Sequence, residues 1–211
     1  MENESNGTTR RERERFRLAA EILDAAAELF ASYGYEGTSV KQIAERAELS
    51  VGKIYNHFES KEEIFRALLN KYMTVVHSLG DDACREDDPP LEQLRCRFEV
   101  AIEYLKGNSN FILIYLNENP LRLEGMIKEE IKQNWEILAR LIESAAERGD
   151  IPREDPEMLA AALLGALHRI LYMLADSGRV DAFDTVPAFI QRIFIEPLEM
   201  RQKSTSKTEG S

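Results

Sequence analysis

A lysine, a phenol, an amide and an imidazole fall within five consecutive positions of this chain, as Lys53, Tyr55, Asn56 and His57. Each can bond to nucleic acid. Lys53 can donate to a guanine edge or a phosphate, and Asn56 can both donate and accept at a base edge. The tips of Tyr55 and His57 can reach phosphate oxygens. Held on one short element, the four would make a surface able to enter a groove.

The surrounding segment, "TSVKQIAERAELSVGKIYNHFESKEEIF" (38–65), has the pattern to hold them. It reads as two short helices with a tight bend at "AELS". Thr38 or Ser39 caps the first, and Gln42 stands three residues beyond Ser39, as in a capping box. Ser50 caps the second. Two such helices are a helix-turn-helix, whose second helix fits a major groove about 12 Å wide. Ile54 and Phe58 are four apart and share a face, which seals against Ile43, Ala44 and Ala47. Lys53, Asn56 and His57 fall on the other side. Val51 and Gly52 lead that face, where Gly52 lets another molecule approach the backbone closely. Thr38, Ser39 and Lys61 stand at helix starts, where free N–H groups and the helix dipole favour phosphate.

Preceded by "AAAELFASYGYEG", this stretch resembles the N-terminal DNA-binding domain of TetR-family transcriptional regulators over about residues 18–66. The "F…YGYEGTS" approach, the "IA" pair, Ala47 before the turn and "S.G.IY.HF.SKEE" carry the likeness. The resemblance implies an all-α homodimer. Three N-terminal helices form a DNA-binding head, and a larger helical body binds small molecules and dimerises. By position it implies that Lys41, Val51, Gly52, Lys53, Tyr55, Asn56, His57 and Lys61 face DNA; Thr38, Ser39 and Ser50 complete the set. The chain departs from the pattern at Glu48, a turn position where glycine is common. Asn56 occupies a variable position, so it does not reveal the operator. The implied function is a transcriptional regulator, a repressor released from a palindromic operator in double-stranded DNA by a small hydrophobic ligand. The alternative is a helical protein-interaction module that does not bind DNA.

Composition sets the limits. The chain has 211 residues, 44% hydrophobic and 31% charged, with few prolines and glycines. Apolar residues recur at helical three- and four-residue steps, so the fold is expected to be all-α. A net charge of −11 excludes a nonspecific nucleic-acid coat or a basic membrane-surface protein. A local DNA face remains compatible with that charge, because screening cuts off distant charges beyond roughly 8 Å. Residues 1–70 hold 10 Lys+Arg against 13 Asp+Glu, yet no acid lies between 50 and 58. The polar start predicts no signal peptide, and no stretch matches the roughly 20 apolar residues of a membrane span, so a cytoplasmic location is expected. Cys84 and Cys96 lack metal-type spacing and read as reduced thiols. His57, His77 and His168 are too scattered to bind metal. No phosphate loop or nucleophile motif is present, so neither enzymatic activity nor a cofactor is expected.

The chain divides into a polar arm (1–17), the helix-turn-helix head (18–62), a helical body (63–200) and a polar tail (201–211). The sharpest composition break is "GDDACREDDPP" (80–90), and the helix starting near 61 links both halves. In the first helix, Leu18, Ile22, Ala25, Ala26, Leu29, Phe30 and Tyr33 form an apolar stripe ending at Gly34. In the body, a ligand cavity needs apolar walls and a few polar groups. "NSNFILIYLNENP" (108–120) supplies both, giving Phe98, Phe111, Tyr115, Asn117, Met126, Trp135, His168 and Tyr172 as candidate ligand contacts. For the dimer interface, Ala162, Gly165, Ala166 and Arg169 repeat at helical steps and permit close packing. Phe189, Ile193 and Phe194 provide a second stripe.

Overall fold

A computed structural model describes residues 9–117 and 120–199, without the side chains of 116, 117 and 120–131. The described residues are helical and contain no strand. They form two compact units, one extending through Leu69 and the other starting at Asn70.

The first unit begins with α1 (Arg10–Tyr33). The expected arm is thus partly helix. Thr9 and Glu12 close a capping box, each side chain accepting from the other's backbone N–H. Arg17 pairs with Glu14 and Glu21 along the first turns. The buried stripe holds Ile22, Ala25, Ala26 and Phe30 as expected, with Leu23 and Ala27 added. Tyr33 leaves the stripe and is exposed, because the helix ends beside it at Gly34.

The next two helices, α2 (Val40–Arg46) and α3 (Val51–Tyr55), start at Ser39 and Ser50. Ser39 and Gln42 form the anticipated capping box, and Ser50 Oγ accepts from the N–H of Lys53. The turn between them is a Schellman motif. Leu49 donates to the Ala44 carbonyl at 2.9 Å and Glu48 to that of Glu45 at 3.2 Å. This geometry puts Glu48 in the left-handed region at φ 56°. Ile43, Ala44, Ile54 and Phe58 are buried together with Ile22, Phe30, Ile64 and Phe65. Rings of Phe30, Tyr35 and Phe65 meet at 5.0–5.8 Å, and aromatic pairs at such distances add to simple area burial.

α4 (Lys61–Ala83) starts in the first unit and ends in the second. α5 (Pro90–Gly107), α6 (Ser109–Asn117), α7 (Pro120–Glu147) and α8 (Pro156–Asp176) follow. Pro156 takes the first helical position of α8 and Asp155 accepts from the N–H of Met158 at 2.9 Å, both as the sequence suggests. The expected last helix is broken into pieces. A 3-10 stretch (Val180–Thr185), α9 (Val186–Ile190) and a π turn (Gln191–Ile195) lead to helix at 196–199.

α8 packs on α6 and α7, burying Leu163, Leu167, Leu171 and Leu174. By length and composition it could cross a membrane, which corrects the expectation that no segment comes near that threshold. The same test is passed by core helices of soluble proteins, and α8 buries one face through these leucines.

The cysteines also differ from expectation. Cys84 and Cys96 form a disulfide with their Cα atoms 5.8 Å apart. The sequence reads them as reduced thiols. The break after α4 turns the chain back, so α5 presents Cys96 to Cys84 and Arg97 to Asp81.

Candidate nucleic-acid interface and ligand cavity

On the first unit, Lys53, Tyr55 and Asn56 are exposed, with Tyr55 retaining 53% of its surface. No hydrogen bond or ion pair engages these three side chains. Ser39, Lys41, Ser50, Val51 and Gly52 are exposed beside them, and His57 is half-buried. Lys41 is drawn to Glu45 at 3.7 Å, in an ion pair too exposed to hold it firmly. A Cβ placed on Gly52 would meet no protein atom within 4 Å, so internal packing does not require a glycine there.

Two of the expected residues turn inward instead. Thr38 is 3% exposed, and its hydroxyl donates to the Gly34 carbonyl at 2.9 Å. Lys61 Nζ donates to the carbonyls of Tyr35 and Thr38, at 2.7 and 2.9 Å. It also lies 4.1 Å from the centre of the Tyr35 ring. Helix-start position placed both residues toward phosphate, and the family resemblance placed Lys61 there too; the loop at 34–38 offers carbonyls that compete for them. The start of α4 is occupied as well, since the Glu63 carboxylate accepts from the N–H of Glu59. Arg11 and Arg15 of α1 share a shallow concavity with Asn56 and His57, though Glu12 and Glu14 line it too.

The second unit encloses a cavity of about 290 Å³. Five of the eight anticipated contacts line it: Phe98, Phe111, Tyr115, Trp135 and His168. Tyr172 does not. Its ring lies under the Arg169 guanidinium, 5.4 Å away. The side chains of Asn117 and Met126 fall outside the described residues. Met73, Val76 and Leu138 complete much of the apolar wall, and His77, Arg97 and Asn134 add polar groups. Arg97 could have been noticed. It sits with Phe98, Ala101 and Leu105 at helical steps, an arginine on an apolar stripe.

Burial shifts two titrations here. The His168 imidazole is desolvated and its pKa falls to about 4, so it is neutral near pH 7. Its ring meets Tyr115 edge-on at 5.5 Å, and burial raises the Tyr115 phenol above its ordinary value. No group of three or more His, Cys, Asp or Glu capable of holding a metal occurs among the described residues.

Part of the expected interface is exposed on the outer surface of α8 and the final helical segment. Ala162 and Arg169 are exposed there, with Met158 at 73% and Met173 at 50%. Phe189 and Ile193 are exposed at 40% and 49%, whereas Ala166 and Phe194 are half-buried. Gly165 borders the cavity.

Fold and surface together define a helix-turn-helix protein whose second helical unit carries a ligand-sized cavity. The family described as bacterial regulatory proteins, tetR family, matches residues 22–68. The A-factor receptor protein of Streptomyces griseus is 31% identical over 165 residues, spanning 76% of this chain and 56% of the receptor. The HTH-type transcriptional repressor KstR2 of Mycobacterium tuberculosis is 33% identical over 98 residues, 46% of this chain and 49% of the repressor. The chain thus spans about half the length of these relatives. The crystal structure of the TetR family transcriptional regulator PfmR from Thermus thermophilus superposes with a TM-score of 0.69 at 26% identity, covering 90% of this chain and 97% of that one. The chain belongs to the tetR family of bacterial regulatory proteins.

Proposed function

We propose that this chain is a cytoplasmic, sequence-specific DNA-binding repressor without enzymatic activity, and that a small hydrophobic ligand releases it from a palindromic operator. The observation that carries the reading is the α3 surface. Lys53, Tyr55 and Asn56 are exposed, unengaged and clear of acids from 50 to 58, in a chain of net charge −11. A glycine inside a helix costs about 1 kcal/mol against alanine. At Gly52 packing supplies no reason for it, whereas close approach to a DNA backbone does.

The exposed apolar residues Met158, Met173, Phe189 and Ile193 support dimerisation through α8 and the final segment. A two-fold dimer would set its α3 helices in successive major grooves, about 34–36 Å apart. The cavity supports a ligand. α4 contributes Phe65 and Leu68 to the core of the first unit, and Met73 and Val76 to the cavity wall of the second. A ligand that binds one setting of α4 better than another would therefore shift the head.

Selection of bound sequences from a random double-stranded DNA pool tests this reading. An enriched palindrome, bound less tightly by Lys53→Ala, is the expected result. Binding without sequence enrichment would overturn the sequence-specific reading, and no binding would favour the interaction module, for which the acidic total of the head is the supporting observation. DNA affinity carried by phosphate contacts must also fall steeply as salt rises.

A further inference from the structure

The cavity wall contains a donor that the protein leaves unmatched. Arg97 extends from α5 over Gly80 of α4, where an added Cβ would come within 2.6 Å of Nη1. Gly80 therefore makes the space in which the guanidinium lies. Nη2 donates to Asp81 at 2.8 Å, whereas Nε is buried with no hydrogen-bond partner. Burying an unsatisfied donor is costly, and more so on a charged group. Both Arg97 and Gly80 border the cavity, and a small turn of the guanidinium, whose Nε water does not reach, would bring that donor to an acceptor inside it.

We propose that the cavity takes an uncharged, mainly apolar molecule bearing a carbonyl oxygen, as in an ester, amide or ketone, which accepts from Arg97 Nε. This rests on the ligand-cavity reading above. Charge balance decides against a carboxylate. Asp81 already compensates the guanidinium, and Arg97 is the sole Lys or Arg among the described lining residues. An incoming carboxylate would lose its hydration beside an acid and find no unpaired cation among the described lining residues. His168 is neutral and offers a hydrogen bond instead of a charge. The rest of the wall, including Phe98, Leu105, Ile112 and Leu138, suits a hydrocarbon body. A volume of about 290 Å³ lies at the lower end of the range for ligand sites, so the molecule is small.

Three probes with one alkyl chain test the proposal on the full-length protein: methyl octanoate, octanoate and octyl methyl ether. Binding is followed at neutral pH by native mass spectrometry and calorimetry. Methyl octanoate is expected to bind about tenfold more tightly than either other probe, the factor that about 1.4 kcal/mol supplies. Arg97→Met should abolish that preference while the ether binds as before. Gly80→Ala, which displaces the guanidinium, should do the same. Thermal unfolding of both variants establishes that they are folded. Equal binding of ester and ether would overturn the proposed carbonyl contact yet leave the ligand cavity standing. Tighter binding of octanoate would overturn the uncharged class. Failure of all three to bind would overturn this proposal and the ligand reading together.

Discussion

Lys61 Nζ stands 2.7 Å from the carbonyl oxygen of Tyr35 and 4.1 Å from the centre of the same residue's ring. One ammonium group thus binds both the backbone and the side chain of a single tyrosine. With its third contact, the Thr38 carbonyl at 2.9 Å, it ties the start of α4 to the loop entering α2. Tyr35 in turn packs on Phe30 and Phe65, so the clamp reaches the core of the first unit.

Lys61→Met keeps the stem and removes the ammonium. It should destabilise the protein by about 2 kcal/mol, because two carbonyls lose a charged donor. Denaturant unfolding measures this. Loss of DNA affinity with unchanged stability would instead assign Lys61 to phosphate.

Glu48→Gly should stabilise. Among the described residues the same Schellman turn occurs three times, and Gly149 and Gly178 occupy the left-handed position in the other two, at φ 76° and 70°. Glu48 there carries a Cβ penalty of roughly 1–2 kcal/mol, partly offset by the greater unfolded-state freedom of glycine. A net gain of about 1 kcal/mol is expected, read as a higher denaturation midpoint at unchanged slope.

Acid should weaken the fold through His168. Its pKa is lowered by burial from 6.5 to about 4. Between these values the unfolded chain binds a proton that the native state does not. Stability attributable to this group is therefore complete above about pH 6.5 and is lost progressively down to about pH 4, by about 3 kcal/mol in all. His168→Gln should flatten that portion of the pH–stability curve. An unaltered slope in the variant would show that the imidazole is not held neutral.

Reduction should weaken it too. Cys84 and Cys96 are separated by 12 positions, and cross-linking a loop of that size stabilises by about 3 kcal/mol in the chain-entropy account. Unfolding of the wild type with and without reductant measures the effect, and Cys96→Ser should behave like the reduced protein under both conditions.

Helix-turn-helix residues were legible because their rules are local. Ser39, Gln42 and Ser50 cap helices through atoms three residues away, and Ile54 and Phe58 share a face by helical geometry alone. Five cavity residues were legible for a weaker reason: bulky apolar and aromatic side chains collect wherever a helical body has an interior. Arg97 was missed because its charge suggests solvent until Asp81 and Gly80 are seen beside it.

The sequence by itself determined the all-helical fold, the head with its α2–α3 turn and the outward placement of Lys53 and Asn56, since spacing dictates which side chains share a helix face, whereas His57, expected on the same side, is half-buried. Tertiary structure decided which faces are covered and by what. It turned Thr38 and Lys61 onto the loop carbonyls, joined Cys84 to Cys96, brought Arg97 over Gly80 and left Tyr172 outside the cavity. Those outcomes depend on atoms distant along the chain, often on another helix, and periodicity within one helix does not encode the approach of another.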